Sequence, residues 1–311
     1  MTKISIVIPT FNGERNIKKQ IATLINDCKK GGIFNFYEIV ICDNCSEDNT
    51  KKVVKECIKR NHKNKVVKIK YYSSKVNIGY PLNFIQSTKL AESRYILFLC
   101  DDNIPEKNFY IDTYSVFKDR KFDELCFFST NNINNYKRNS SLNNSVELAY
   151  VMNRGSILSG VLVRKSKIKY KYIIKDGLYP QNGVFIDYYL EHGLKIFNFK
   201  SKINCKTYEK ISDKFNDRMN RKEDLAVIDK INTIDIFYKK KRINIINLFV
   251  CLYTIYYWSI DIFLTLKKQK KITIANNFFE AIKKYDRKLL MHLAMKYALL
   301  KTFISKLKKY V

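Results

Sequence analysis

Histidine is scarce in this chain, and the N-terminus has no long apolar run. Only three histidines occur among 311 residues, and the eight cysteines are scattered, several of them inside apolar strand-like runs. This set argues against a zinc site and suits buried free thiols in a reducing compartment. The first apolar run ends at Pro9, which makes it too short for the core of a signal peptide. We therefore expect the protein to stay in the cytoplasm.

Carboxylates are also scarce relative to cations. Asp and Glu number 29 against 58 Lys and Arg, a formal net charge of +29. Such an excess attracts nucleic acid, nucleotides or anionic lipid, and the charge alone cannot choose among them or exclude a merely solvated surface. Hydrophobic residues make up 46% of the chain, which suffices for a sizeable core and excludes a disordered protein.

The first hundred residues alternate between strand-like and helix-like patterns. Apolar runs predict strands at 4–8, 38–42, 66–72 and 95–100. Amphipathic segments predict helices at 17–28, 50–60 (with Asp48 or Asn49 as cap) and 81–90, where Pro81 opens the helix. This alternation predicts a parallel sheet covered by helices on both faces.

Beyond residue 105 the pattern loosens. The Asn- and Ser-rich stretch 131–145 predicts a loop, 156–166 a strand, and 183–193 a short helix that ends near Gly193. Helical patterns dominate from about residue 222. We therefore expect a first domain over 1–221 and a helical, basic and aromatic extension over 222–311.

Polar residues follow three of the predicted strands, at the edge where α/β sheets bind ligands. Asp101 and Asp102 follow the fourth strand; paired carboxylates suit Mg²⁺ or Mn²⁺, and the alternative is a helix cap or a turn-stabilising pair. Asp43 ends the second strand and could accept hydrogen bonds from a nucleotide or cap the next helix. Phe11 offers a stacking face for a base.

Four motifs in order resemble the family-two glycosyltransferases, nucleotide-sugar-dependent enzymes of the GT-A fold. They are SIVIPTFNGERNI, EIVICDNCSEDNT, NIGYPLN (77–83) and YILFLCDDN, and they cover about the first 110 residues. Farther along, SGVLVRKS (159–166) is similar to the strand before the acceptor region, and FIDYYLEHG (185–193) to the acidic segment that carries the base. The resemblance implies an α/β fold with a GT-A-like, Rossmann-type mixed sheet flanked by helices and a helical C-terminal extension.

The resemblance also implies roles for individual residues. Pro9, Phe11, Glu14 and Asp43 would bind the nucleotide, Asp101 would approach the ribose or the metal, Asp102 would hold the metal, and Asp187 would be the general base of an inverting transfer. The family often has Asp where this chain has Asn103, which leaves open which carboxylate is the principal ligand. Glu191 is the alternative base, and Asp187 could instead be a helix cap or ion-pair partner.

These residue types suit the implied reaction. Moving a sugar from a nucleoside diphosphate needs a base for the acceptor hydroxyl and an electrophile for the departing diphosphate. A carboxylate and a divalent metal ion fill those roles. The implied partners are a nucleotide-sugar donor and a saccharide or lipid-linked acceptor.

A stretch without charge, 243–260, lies between the basic runs 239–242 and 267–271. Its tyrosines and Trp258 favour a helix lying on an anionic membrane surface over one that spans the bilayer. A buried helix or one that forms a homodimer is the competing interpretation. A membrane location at the inner face of the cell membrane would suit a lipid-carried acceptor and, by family analogy, the synthesis of a bacterial surface polysaccharide or lipopolysaccharide.

Three rival functions remain. A sugar nucleotidyltransferase would favour a Gly-rich loop after the first strand, where only Gly13 occurs. A nucleic-acid-binding protein would explain the charge and the aromatics but not the carboxylates. A catalytically silent GT-A scaffold draws some support from Asn103. We expect no nucleic-acid partner.

Overall fold

A seven-stranded mixed sheet dominates the chain. The computed structural model describes residues 4–62, 66–130, 144–173, 177, 179–204 and 224–268. One part of the sheet is built from β1 (Ile4–Thr10), α1 (Glu14–Lys30), β2 (Tyr37–Asp43), α2 (Thr50–His62), β3 (Lys68–Ser73), α3 (Tyr80–Leu90) and β4 (Tyr95–Phe98). Its four strands are parallel and lie in the order β3-β2-β1-β4. The alternation that the sequence predicts over its first hundred residues is confirmed.

The remaining strands make the sheet mixed. They are β5 (Ile104–Pro105), β6 (Leu125–Phe128), β7 (Val161–Arg164), β8 (Leu194–Phe197) and β9 (Ile203–Asn204). Strand β7 runs antiparallel to both β4 and β6, β8 lies parallel to β6 at the edge, and β5 and β9 form a separate pair. The mixed α/β architecture with flanking helices is the predicted fold class.

The helices after α3 are α4 (Phe109–Phe117), α5 (Asn144–Gly155), α6 (Gln181–His192), α7 (Asp224–Lys239) and α8 (Ile245–Lys268). Helix α6 and the two C-terminal helices occupy stretches that the sequence predicts as helical. The loop prediction for 131–145 lies mostly outside the described residues. It is wrong at its end, because Asn144 and Ser145 already belong to α5, where Glu147 in the first turn suits the helix dipole.

Strand β1 passes through Pro9, whereas the apolar pattern predicts a strand that ends before it. Proline has no N–H to donate to a sheet ladder. Residues on a parallel strand alternate between its two neighbours: the carbonyl of Val7 accepts from Leu99 on the β4 side, and that of Thr10 accepts from Asn44 on the β2 side. Pro9 therefore faces the β4 side, where the strand pairing has already ended at Phe98. The missing N–H costs no ladder bond there.

The described residues fall into two compact units. The first contains the sheet and comprises the described parts of 1–137, 157–171 and 187–207; the second comprises those of 138–156, 172–186 and 208–311. Helix α6 contributes to both, and its Asp187 belongs to the first unit. The boundary expected at 221/222 stays a prediction.

In the second unit, α8 packs against α5 and α7. Its apolar residues Leu248, Cys251, Leu252, Ile255 and Tyr256 are all buried. Between residues 248 and 256 the apolar side chains of α8 are therefore covered by protein, as the buried-helix interpretation expects, and contact of this stretch with a membrane surface stays a prediction. Within the described ranges, none of the helices combines the length and hydropathy needed to cross a bilayer.

An ion pair is buried at the end of the sheet opposite the carboxyl edge. The Glu38 side chain is fully buried on β2; its Oε2 lies 2.8 Å from Lys70 Nζ, and its Oε1 accepts from Ser5, from Ser93 and, at 2.8 Å, from the Glu92 N–H. Burial alone would raise the pKa of Glu38, but the bonds from Lys70, Ser5 and Glu92 outweigh it and leave the pKa below 4.5. The folded protein therefore stabilises the ionised form of Glu38.

We expect Glu38→Gln to lower the free energy of unfolding by about 3 kcal/mol at neutral pH, because it leaves Lys70 with a buried neutral partner. Glu92→Gln is the matched control, since Glu92 also pairs with Lys70 but is 61% exposed, and it should cost no more than about 1 kcal/mol. Urea titrations of the three proteins measure both values.

The pH dependence has a defined sign. Because folding lowers the pKa of Glu38 below its usual range, the stabilisation is present above the pKa of the unfolded state and is lost as the pH falls through the lower pKa of the folded state. The difference in the free energy of unfolding between wild type and Glu38→Gln should therefore become smaller at acidic pH. If Glu38→Gln and Glu92→Gln lowered the free energy of unfolding by equal amounts at every pH, the buried ion pair would not have the proposed role.

Candidate functional site

Three strand ends bring the predicted polar residues to one edge of the sheet. Thr10 at the end of β1 pairs in register with Asp43 at the end of β2. Strand β4, on the other side of β1, leads within three residues to Asp101. Parallel strands share the edge at which they end, so Thr10 of the first strand, Asp43 of the second and the carboxylates that follow the fourth all lie at one edge of the sheet.

A hydrogen bond links the end of β1 to the turn after β4. The Thr10 hydroxyl donates to Asp101 Oδ2 at 2.6 Å, and the Phe11 N–H donates to the same oxygen at 3.2 Å. A Cβ at Gly13 would lie only 2.3 Å from Thr10 Oγ1 and 3.2 Å from Asp101 Oδ2. Glycine is thus the residue that lets the start of α1 approach this pair.

The charge state of Asp101 reflects its surroundings. Burial raises its pKa, and the neighbouring charge of Asp102 adds to the rise, while the Thr10 hydroxyl and the Phe11 N–H act in the opposite direction. A positive charge beside the two carboxylates would offset both the burial and the mutual repulsion. The site therefore favours a cation electrostatically.

The turn that carries the two carboxylates, Cys100–Asn103, is held from both sides. Gln20 on α1 donates from Nε2 to the carbonyls of Cys100 (2.6 Å) and Asn103 (2.5 Å). Ser159 Oγ accepts from the Cys100 N–H at 2.7 Å and from Asn103 Nδ2 at 2.8 Å. The bond to Ser159 also explains why β4 ends at Phe98, earlier than the sequence predicts. The Asn103 side chain is buried within this turn, where its amide donates to Ser159.

Asp43 is held by three donors. Its Oδ1 accepts from the Ser46 N–H at 2.9 Å and from the Ser46 hydroxyl, and its Oδ2 accepts from the Tyr71 hydroxyl on β3. Burial raises the pKa of Tyr71, and the bond to Asp43 raises it further, so the hydroxyl stays a donor. A carboxylate offers about four lone-pair positions, which leaves capacity for one more donor.

Glu14 and Phe11 differ in what surrounds them. Glu14 Oε2 accepts from the Asn49 N–H at 3.0 Å, and Oε1 accepts from Asn49 Nδ2 at 3.1 Å, so this carboxylate joins the starts of α1 and α2. The Phe11 ring is 44% exposed beside the edge of the sheet, so one of its faces is accessible to a ligand. Pro9 is buried in β1.

The predicted base lies on α6. Asp187 is 2% exposed, and its Oδ2 lies 3.9 Å from Lys171 Nζ. The alternative base, Glu191, forms an ion pair with Lys169 at 2.5 Å. The structure therefore brings Asp43 and Asp101 to one edge of the sheet, while the assignment of Asp187 as the base stays a prediction.

No sequence pattern indicates the roles of several residues of this site. Gln20 does not differ in sequence from a solvent-facing polar residue of an amphipathic helix, and SGVLVRKS, which begins at Ser159, does not indicate that this serine binds the Cys100–Asn103 turn. Tyr71 could have been found only from the register of β3 against β2, because its partner Asp43 lies 28 positions away. For these residues the three-dimensional pairing is the only signal.

A divalent cation fits the residues at this edge. Asp101 and Asp102 supply hard oxygen donors, and Mg²⁺ commonly takes one or two carboxylates and completes its shell with water and phosphate. Among the residues that the structure describes, no cluster of three or more His, Cys, Asp or Glu side chains could hold a metal ion. An ion here would depend on oxygens from a bound ligand.

Comparisons with known proteins agree on one family. Residues 5–174 match the sequence profile described as glycosyl transferase family 2. An uncharacterized glycosyltransferase of Mycoplasma genitalium is 29% identical over 133 residues, 40% of each chain. The Staphylococcus aureus poly(ribitol-phosphate) beta-N-acetylglucosaminyltransferase TarP is 27% identical over 125 residues, 40% of this chain and 35% of TarP. The matches thus span well under half of either relative.

A solved structure has a similar fold. The crystal structure of S. aureus TarS 1-349 in complex with UDP superposes with a TM-score of 0.51 at 15% identity, covering 91% of this chain and 92% of that chain. The likeness supports the architecture alone.

Substitution of Gln20 tests whether its two hydrogen bonds hold the Cys100–Asn103 turn. We expect Gln20→Met, which matches glutamine in size, to lower the free energy of unfolding by about 1–3 kcal/mol by leaving two buried carbonyls without their donor. Amide exchange at Cys100 and Asn103 should accelerate by more than exchange in the sheet. Hydrogen exchange read by mass spectrometry measures the difference.

Thr23→Val is the control on the same helix, because the Thr23 hydroxyl donates only within α1, to the Lys19 carbonyl. It should leave exchange in the Cys100–Asn103 turn unchanged. Unchanged exchange in Gln20→Met would show that Gln20 does not hold the turn.

Proposed function

We propose that this chain, which belongs to glycosyl transferase family 2, transfers a sugar from a nucleoside-diphosphate sugar to a saccharide or lipid-linked acceptor with inversion at the anomeric carbon. The observation that carries the proposal is the bond from Thr10 to Asp101. It places the exposed Phe11 ring and the paired carboxylates at one edge of the sheet, within the part of the chain that matches the family.

The donor would lie along this edge. Phe11 would stack on the base, with Pro9 behind it and Glu14 nearby, and Asp43 would accept from the base or the ribose with its remaining lone-pair capacity. Asp101 would approach the ribose or the metal. The UDP complex of TarS, a protein of similar fold, makes UDP-sugars the first donors to test.

Asp102, together with Asp101, would hold Mg²⁺ or Mn²⁺. When bound, such an ion stabilises negative charge that develops on the departing diphosphate. Gln20 and Ser159 hold the backbone of the turn that carries both carboxylates, and Thr10 and Phe11 orient Asp101, so that little reorganisation of the turn would accompany binding.

Asp187 would take the proton from the acceptor hydroxyl as it attacks the anomeric carbon. A single displacement of this kind inverts the configuration of that carbon.

The acceptor would be a polymer. TarP, by its name, acts on poly(ribitol-phosphate), which supports a polymeric acceptor and a role in surface glycan synthesis. Lipopolysaccharide is the lipid-linked alternative. We place the enzyme in the cytoplasm at an anionic membrane surface, without a nucleic-acid partner; a homodimer is compatible with this.

Two variants separate binding from chemistry. We expect Asp102→Asn to weaken Mn²⁺-dependent UDP binding about tenfold or more, because it removes a ligand charge. Asp187→Asn should keep UDP binding and lower kcat for transfer by about 100-fold or more, because only the proton acceptor is lost. Calorimetric titration with and without a chelator measures the first effect, and UDP release from a donor panel measures the second.

Asp119→Asn is the control, since Asp119 is 78% exposed and pairs only loosely with Lys118; it should behave as wild type in both assays. Wild-type protein that binds no nucleoside diphosphate, with or without metal, would contradict the proposed function and favour the catalytically silent scaffold.

A further inference from the structure

The turn between α7 and α8 forms a basic pocket in the second unit. Its volume is about 520 Å³. Three cationic side chains, two amides and a tyrosine line it: Lys239, Lys241, Arg242, Asn244, Asn247 and Tyr238. No carboxylate is among the described residues that line the pocket. The catalytic proposal uses none of these residues.

Local hydrogen bonds fix the shape of this turn. At the end of α7 the N–H groups of Lys241 and Arg242 donate to the carbonyls of Tyr238 and Phe237, both at 2.9 Å, and Lys241 adopts a left-handed conformation with φ of 55°. At the start of α8 the Asn247 N–H donates to Asn244 Oδ1 at 2.8 Å, and the Asn244 N–H donates to Asn247 Oδ1 at 3.2 Å. This reciprocal cap holds the pocket open in one shape.

Helix stability explains part of the basic run. Cations near the end of α7 suit the helix dipole, and Lys239 pairs with Asp235 one turn earlier at 2.6 Å. Lys240 and Lys241 lie directly after the helix, where the dipole also favours cations, and both side chains are exposed. Their charge is therefore accessible to an external anion.

Two exposed isoleucines lie beside the pocket. Ile245 is 48% exposed and Ile246 is 62% exposed at the first turn of α8, whereas Leu248 and Cys251 farther along are buried. Packing within the unit leaves about half or more of each of these two side chains exposed. Large aliphatic groups beside a cluster of cations match a lipid surface, where acyl chains lie beneath anionic headgroups.

We propose that the α7–α8 turn docks on an anionic lipid surface, with a headgroup phosphate in the pocket and Ile245 and Ile246 inserted at the boundary with the acyl chains. The inference deepens the membrane location proposed above and rests on it. It assigns the contact to the turn, since the apolar face of α8 is buried against protein.

The full chain tests this by co-sedimentation with phosphatidylglycerol-containing vesicles and with pure phosphatidylcholine vesicles. Wild type should bind only the former, less tightly as salt rises. Lys240→Gln/Lys241→Gln should weaken binding about 30-fold, from about 1 kcal/mol per surface cation. Ile246→Ser should weaken it about fivefold or more.

Two controls match these changes. Lys55→Gln/Lys59→Gln removes the same charge from exposed positions of α2, and Phe34→Ser removes an apolar side chain that is 58% exposed in the first unit. Both should bind vesicles nearly as wild type does. UDP titration of every variant should give wild-type affinity, because the changes lie outside the nucleotide site.

The outcomes are distinguishable. Wild-type vesicle affinity in both turn variants would overturn the assignment to this turn, and absence of wild-type vesicle binding would overturn the membrane location as well. Binding of soluble glycerol 3-phosphate that is lost in Lys240→Gln/Lys241→Gln, without vesicle binding, would reassign the pocket to a phosphate-bearing acceptor. Vesicle binding without UDP binding would contradict the proposed donor while leaving this inference standing.

Discussion

The hydrogen bond from the Thr10 hydroxyl to Asp101 is the contact on which the candidate site depends. It joins the end of β1 to the turn after β4, and with the Phe11 N–H it orients a carboxylate that burial would otherwise disfavour in its charged form. Gln20 and Ser159 hold the same turn from the other side. Because each bond joins elements far apart in sequence, the site exists only when the sheet is complete.

The distribution of charge follows from the same constraint. In a chain with a formal charge of +29, Asp43, Asp101 and Asp102 lie at one edge of the sheet, where the proposed function would have a cation and a diphosphate bind together. Cations in the α7–α8 turn instead lie beside exposed isoleucines. The excess of positive charge therefore has at least two physical effects. It attracts polyanions in general, and in the α7–α8 turn it forms a local surface suited to anionic lipid.

Much of this architecture was predictable from sequence, because the spacing of apolar residues and the Pro, Gly and polar residues that end strands and helices are local properties of the chain. The alternating strands, the helix that Pro81 opens and the carboxylates at the strand ends all follow from short patterns. The passage of β1 through Pro9 was not predictable, since it depends on where β4 stops pairing. Nor were the roles of Gln20, Ser159 and Tyr71, whose partners are set by register and packing. The covered face of α8 likewise depends on α5.

The most direct test of the central claim is a crystal structure of the chain grown with UDP and Mn²⁺, with anomalous diffraction used to locate the metal. The account predicts a manganese peak between the diphosphate and the carboxylates of Asp101 and Asp102, with the uracil ring against Phe11. A nucleotide bound away from this edge, or manganese bound without contact to either carboxylate, would contradict it.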